Sequence, residues 1–109
     1  MFKCQVCNLI LDVEEAPEEC PRCGAPKEKF TELQENDREL VEKSRETNSL
    51  LMELCEIMEQ VEDISDAGIE INLDPGCLAL FKQAKEQSNV LKQSAKAEAE
   101  VHVGKGKWG

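Results

Sequence analysis

The stretch that decides the fold is CQVCNLILDVEEAPEECPRC, residues 4–23. It holds four of the chain's six cysteines, as two C-x-x-C pairs separated by twelve residues. Four thiols at this spacing can form two disulfides, hold a structural zinc, or hold a redox-active iron. A two-residue spacer lets each pair curl into a knuckle with both sulfurs on one side. The twelve-residue spacer is long enough to bring the second knuckle back opposite the first. Cys4, Cys7, Cys20 and Cys23 are thereby candidate ligands of one tetrahedral S4 site, which suits Zn²⁺ or a single iron. Backbone N–H groups turned toward the sulfurs would stabilise the thiolate charge. Gly24 follows the second pair and suits the left-handed backbone that a knuckle needs. Asn8 follows the first pair, and Asn is the next-best residue there.

The rest of the composition agrees with a metal-stapled module. The chain has 109 residues, one Trp, three Phe and no Tyr, with 33% charged residues and a net charge of −10. Such a chain cannot build a large single core, so a metal, long amphipathic helices or a partner must complete the burial. The first residues, Met-Phe-Lys-Cys, lack the basic and apolar regions of a signal peptide. No apolar run approaches a membrane span. The expectation is a cytoplasmic protein, where reduced thiols favour metal over disulfides. The acidic balance argues against nucleic acid as a partner.

Beyond residue 33 the character changes to two helices. Residues 34–75 carry three basic and thirteen acidic groups, and residues 76–109 six and three, so the segments are electrostatically complementary. Thr31-Glu-Leu-Gln34 reads as a capping box, with Asn36 as a rival start. Leu40, Ser44, Thr47, Leu51, Leu54, Met58 and Val61 follow at alternating spacings of 4 and 3, a heptad seam, with Leu50, Ile57 and Ile64 beside it. The pattern predicts a first helix over about residues 36–66, capped at Gly68, and an extended loop over 69–73. Asp74-Pro75 predicts the start of a second helix. Its apolar positions are Phe81, Ala84, Ser88, Leu91 and Ala95, and it runs to about His102. The short connection makes the helices antiparallel neighbours. Three segments follow: a metal module over 1–33, a helical hairpin over 34–103 and a basic tail over 104–109. A two-helix hairpin has one mutual face, so it is expected to form a homo-oligomer or to dock on a larger subunit.

The residues of the first segment resemble the rubredoxin-like domain found at the C-terminus of rubrerythrins. The resemblance rests on Phe2-Lys-Cys-Gln-Val-Cys7. It rests more specifically on Ala16-Pro17, Cys20-Pro-x-Cys23-Gly-Ala-Pro-Lys27 and Phe30. It covers under a third of the chain. It implies a small three-stranded sheet and a one-electron Fe²⁺/Fe³⁺ carrier ligated by Cys4, Cys7, Cys20 and Cys23. It also implies electron exit past Cys7 and Cys23. Where the family has Gly and an aromatic after the first pair, this chain has Asn8-Leu9, and zinc stays open as the alternative metal. The expected role is an electron carrier or accessory subunit of an oxidoreductase complex rather than a catalyst. The alternative is a zinc-ribbon adaptor without redox chemistry.

Other residues carry weaker signals. A di-iron bundle needs inward Glu and Glu-x-x-His motifs. The chain has one His and no such motif, and Glu53, Glu56 and Glu59 read as a solvated face. His102 could add a ligand to a second site with Glu98, but a lone His near a helix end reads first as a surface residue. Cys55 and Cys77 read as free thiols, with a thiol sensor as a third functional class. Trp108 lies in the Gly-Lys-rich tail, as a loose end or a docking anchor.

Overall fold

Phe2, Lys3 and Cys4 form the middle strand of a three-stranded antiparallel sheet. In the computed structural model, which describes residues 1–109, the strands are β1 (Phe2–Cys4), β2 (Ile10–Leu11) and β3 (Phe30–Glu32), in the order β2-β1-β3. Phe2 faces Leu11 on one side and Glu32 on the other, and Cys4 pairs with Phe30. Strands of two and three residues cannot supply a core themselves. Their buried cluster is Cys4, Cys20 and Ala25, with Cys7, Leu9 and Phe30 packed against it. A single 3₁₀ turn, Lys27–Lys29, leads into β3. No helix of the chain is long and apolar enough to cross a membrane.

Two helices follow, α1 (Glu35–Ile71) and α2 (Pro75–Gly104). The chain divides into two compact units, residues 1–45 with 106–109, and residues 46–105. In the first unit, Arg45 reaches Asp12 with its guanidinium at 2.7 and 3.2 Å and donates to the Gly109 carbonyl at 2.5 Å. The last four residues, Trp108 among them, belong to this unit.

In the second unit α1 and α2 form an antiparallel hairpin, joined across the helices by Lys92–Glu62 at 2.6 Å, by Lys85–Asp66, and by His102 Nδ1 against Asn48 Oδ1 at 2.6 Å. α1 begins at Glu35, next to the expected start at about residue 36, while Thr31 lies in β3 and does not cap it. The other end differs from the sequence expectation. α1 does not stop at Gly68 but runs to Ile71, and the segment expected to be extended is mostly helical. Gly68 is buried within the helix, where a β carbon would collide with the Phe81 ring. The helix stops at Asn72, whose φ of 47° takes the left-handed turn that ends it.

The inward seam of α1 is also shifted by one residue. Val41, Ser44, Asn48 and Ser65 are buried, with Leu51, Cys55, Met58 and Glu62 half-buried between them. Ser44, Leu51 and Met58 belong to the expected seam. Leu54 is expected there too, but it is turned outward and 38% exposed. On α2, Phe81, Ala84, Ser88 and Ala95 point inward as expected, but Leu91 is 50% exposed and Lys92 takes the inner position. Lys92 can lie there because its stem packs along the seam and its ammonium meets Glu62.

The start of α2 follows the sequence signal. The Asp74 carboxylate accepts from Cys77 N–H at 2.7 Å, and Pro75 occupies the first helical position. That bond from the Cys77 N–H holds the Asp74 pKa below its ordinary value. A carboxylate depressed in the folded state stabilises the fold above its unfolded pKa, and this contribution fades as the pH falls through the folded one. Asp74→Ala is therefore expected to lower the Tm by about 5 °C at neutral pH, the size of a lost helix cap. The difference between wild type and variant should shrink as the pH is lowered through the depressed folded-state pKa of Asp74. Thermal melts across pH check both statements.

Candidate metal centre

Each cysteine pair sits in a six-residue loop, and the two loops share one hydrogen-bond frame. In the first, Cys4 N–H donates to Leu9 O at 2.8 Å and Asn8 N–H to Cys4 O at 2.9 Å. In the second, Cys20 N–H donates to Ala25 O and Gly24 N–H to Cys20 O, both at 2.8 Å. Both loops need a left-handed residue at the same point, Asn8 at φ 62° and Gly24 at φ 74°. Asn accepts this conformation at lower cost than other side chains, and Gly at almost none.

The frame aims all four thiols at one point. The Sγ atoms of Cys4, Cys7, Cys20 and Cys23 lie within 4.8 Å of one another. Cys4 faces Cys23 and Cys7 faces Cys20, each at 3.7 Å. None of the six cysteines is in a disulfide. Cys4 and Cys20 are buried, Cys7 half-buried and Cys23 exposed, so the site opens on the Cys23 side.

Peptide N–H groups point at the sulfurs. Those of Cys7 and then Val6 bring the Cys4 thiol below its ordinary pKa, against burial. Burial pushes Cys20 up, but the N–H groups of Cys23 and Arg22 and the thiols of Cys23 and Cys7 outweigh it and bring Cys20 down to about 6. At Cys23 the Ala25 N–H acts downward, yet burial and the three other thiols push it up to about 12. The four sulfurs thus share their protons unequally, with negative charge drawn to the buried end of the group. Four convergent sulfurs with N–H donors behind them fit a tetrahedral thiolate site for a divalent metal or a single iron.

Arg22 is a contributor that the sequence pattern did not reveal. Its Nη1 donates to Cys7 O at 2.7 Å, tying the second loop to the first. Its position between Cys20 and Cys23 was the only available signal.

The other candidates are not gathered into a site. Cys55 lies against the Lys92 carbonyl at 3.7 Å, and Cys77 against the Asp74 carboxylate at 3.5 Å. His102 is held by Asn48 and by Glu98, with Nε2 at 3.4 Å from the latter. No group other than the four cysteines brings three or more ligating side chains together.

Comparison with known proteins agrees with this geometry. Residues 2–31 match the family model of the rubrerythrin, rubredoxin-like domain. Reverse rubrerythrin-1 of Clostridium acetobutylicum is 56% identical over 34 residues, which are 31% of this chain and 19% of that protein. The chain thus spans about a fifth of the length of the curated relative it matches. No solved structure matches it. Residues 2–31 thus match a rubredoxin-like domain and contain the four-cysteine site, and the helical hairpin lies outside the family match.

Proposed function

We propose that residues 1–33 act as a one-electron carrier, with one iron ion held by Cys4, Cys7, Cys20 and Cys23 and a larger redox protein as the exchange partner. The observation that carries this reading is the convergence of four sulfurs within 4.8 Å in a segment matching a rubredoxin-like domain. Iron in such a site supplies an Fe²⁺/Fe³⁺ couple. The protein's own part is to keep the ligand set fixed. The paired hydrogen-bond frames hold the loops, the N–H groups of Val6, Cys7, Arg22 and Cys23 offset the thiolate charge, and Arg22 ties one loop to the other. A frame that does not rearrange between charge states keeps the cost of electron exchange low. The exposed Cys23 and the adjacent Val6, 58% exposed, offer the edge at which a redox partner would approach. On this reading the chain is a carrier rather than a catalyst.

A structural zinc site is the competing reading, because the same donor set suits zinc and Asn8-Leu9 depart from the family pattern. Anaerobic purification from the native host, with metal analysis and absorption spectroscopy, separates the two. The proposal expects stoichiometric iron and a red thiolate spectrum that bleaches reversibly on reduction. Stoichiometric zinc without a visible band would sink it.

A further inference from the structure

The hairpin of the second unit turns two unlike faces outward. On one, Lys85 pairs with Asp66 and Lys92 with Glu62, and an open groove there is also lined by Lys82, Glu86 and Asn89. On the other, α1 carries Leu50, Ile57, Ile64 and Ile71 at a spacing of seven, exposed by 56, 45, 64 and 74%, with Leu54 between the first two. Each residue turns a helix by about 100°, so Ile64 lies about 100° to one side of Ser65, and Leu50 and Ile57 about 160° to the same side of Asn48 and Cys55. On α2, Leu80, Leu91 and Val101 are exposed by 62, 50 and 41%. Leu80 and Val101 lie about 100° to one side of Phe81 and His102, and Leu91 about 50° to the same side of the line from Ser88 to Ala95. Because α2 runs antiparallel to α1, the two rows emerge on the same side. The ion-paired residues fall on the opposite side of both seams, as the same geometry requires.

The arrangement is inverted relative to an ordinary helical hairpin. Its fully buried residues are Asn48, Ser65, Ser88 and Ala95, with Leu51, Met58 and Phe81 half-buried beside them, while Leu50, Ile57, Ile64, Leu80 and Leu91 are outside. A helix pair whose apolar stripe points outward needs a second layer. The occupant must be apolar where it touches, because the rows themselves carry no charge; Glu53, between Leu50 and Ile57, and Glu98, beside His102, stand at their edges. It must also match the face in length. Residues 46–71 span about 39 Å, and two packed helices are about 20 Å wide, which gives roughly 800 Å² per side. That is the burial of a standard stable interface, about 800 Å² per partner.

We infer that a second copy of this chain covers this face. A second copy brings an apolar, charge-poor surface of the same length. A two-fold axis through the face makes the contact self-complementary. Two hairpins then close into an antiparallel four-helix bundle with Leu50, Ile57, Ile64, Leu80 and Leu91 of both copies in its core, and with the ion-paired faces left to water. This inference stands on the hairpin alone and does not depend on which metal the cysteines hold.

Sedimentation equilibrium of the full chain at up to about 100 µM, far above the Kd of a standard-size interface, is the test. The expected mass is twice 12.2 kDa. Ile57→Glu and Ile64→Glu each place a charge from both copies in the apolar layer and should weaken association by at least about 100-fold. Lys82→Glu, on the ion-paired face, should leave it unchanged. Circular dichroism reports whether each variant keeps its helices. If the charged variants lose them, the mild truncations Leu80→Ala and Val101→Ala serve instead, each expected to weaken association about 10-fold. A wild-type chain that is monomeric at about 100 µM overturns the inference. So does a dimer indifferent to folded Ile57→Glu and Ile64→Glu, or to both truncations. A monomer that binds a different protein through this face also overturns it and assigns the face to that protein.

Discussion

Cys20→Ser is expected to abolish tight metal binding and to unfold residues 1–33 at neutral pH while the hairpin keeps its helices. The reason is the size of the apolar core in that segment. Cys4, Cys20 and Ala25 are its buried residues, and two of the three are site sulfurs. Three strands of two or three residues around such a cluster have little to fall back on. Structural four-ligand sites contribute on the order of 10–16 kcal/mol of binding free energy, which is also folding free energy. That is as large as the total stability of a domain, about 5–15 kcal/mol. A serine hydroxyl is a poor substitute for a thiolate, so most of that contribution goes. Stripping the metal from the wild type with a chelator should reproduce the effect. Metal analysis after dialysis, together with amide exchange resolved by segment, checks both. A metal-free variant in which residues 1–33 stay as protected as in the wild type would show that the sheet does not need the site.

The second large effect is expected from Gly68→Ala, and its sign runs against intuition. In the interior of a helix this substitution ordinarily gains about 1 kcal/mol. Here the added carbon would enter the ring of Phe81, meeting Cγ, Cδ2 and Cε2. The half-buried ring can yield only by shifting backbone or rotamer. The net result should be a loss of about 2 kcal/mol, an overpacking cost of about 3 less the helix gain. Phe81→Leu in the same chain should return part of it, so the double-mutant cycle gives a coupling of about 1 kcal/mol or more. Urea denaturation of the four proteins measures it. Additive effects would mean that Gly68 and Phe81 do not share the space.

These two sites also show where the sequence was informative and where it was not. The cysteine site was legible because spacing alone confines four sulfurs, and Asn8 and Gly24 marked the points where each loop turns left-handed. The start of α2 was legible because Asp74 and Pro75 state a cap and a first turn in two residues. The seam of α1 was misread by one position. Apolar periodicity places Leu54 on the seam and Leu50, Ile57 and Ile64 beside it, and all four are turned outward. Ser65 and Asn48 line the interior, where small and polar residues leave no periodic trace. Gly68 was read as a stop because a glycine's local meaning is ambiguous. It sits in mid-helix for the sake of Phe81, a contact thirteen residues away that no local pattern encodes. The Lys92–Glu62 pair was hidden for a similar reason, since a lysine in an inner position is tolerable only when its partner stands across from it.

The repeated frame around the two cysteine pairs has a further consequence. Every bond in it runs between peptide groups, so it places no demand on the side chains at Gln5, Val6 and Pro21, which are all exposed. Those side chains can therefore change without disturbing the backbone bonds that place the four thiols. Surface chemistry and ligand placement are thus separable in this chain, carried by different atoms of the same two loops.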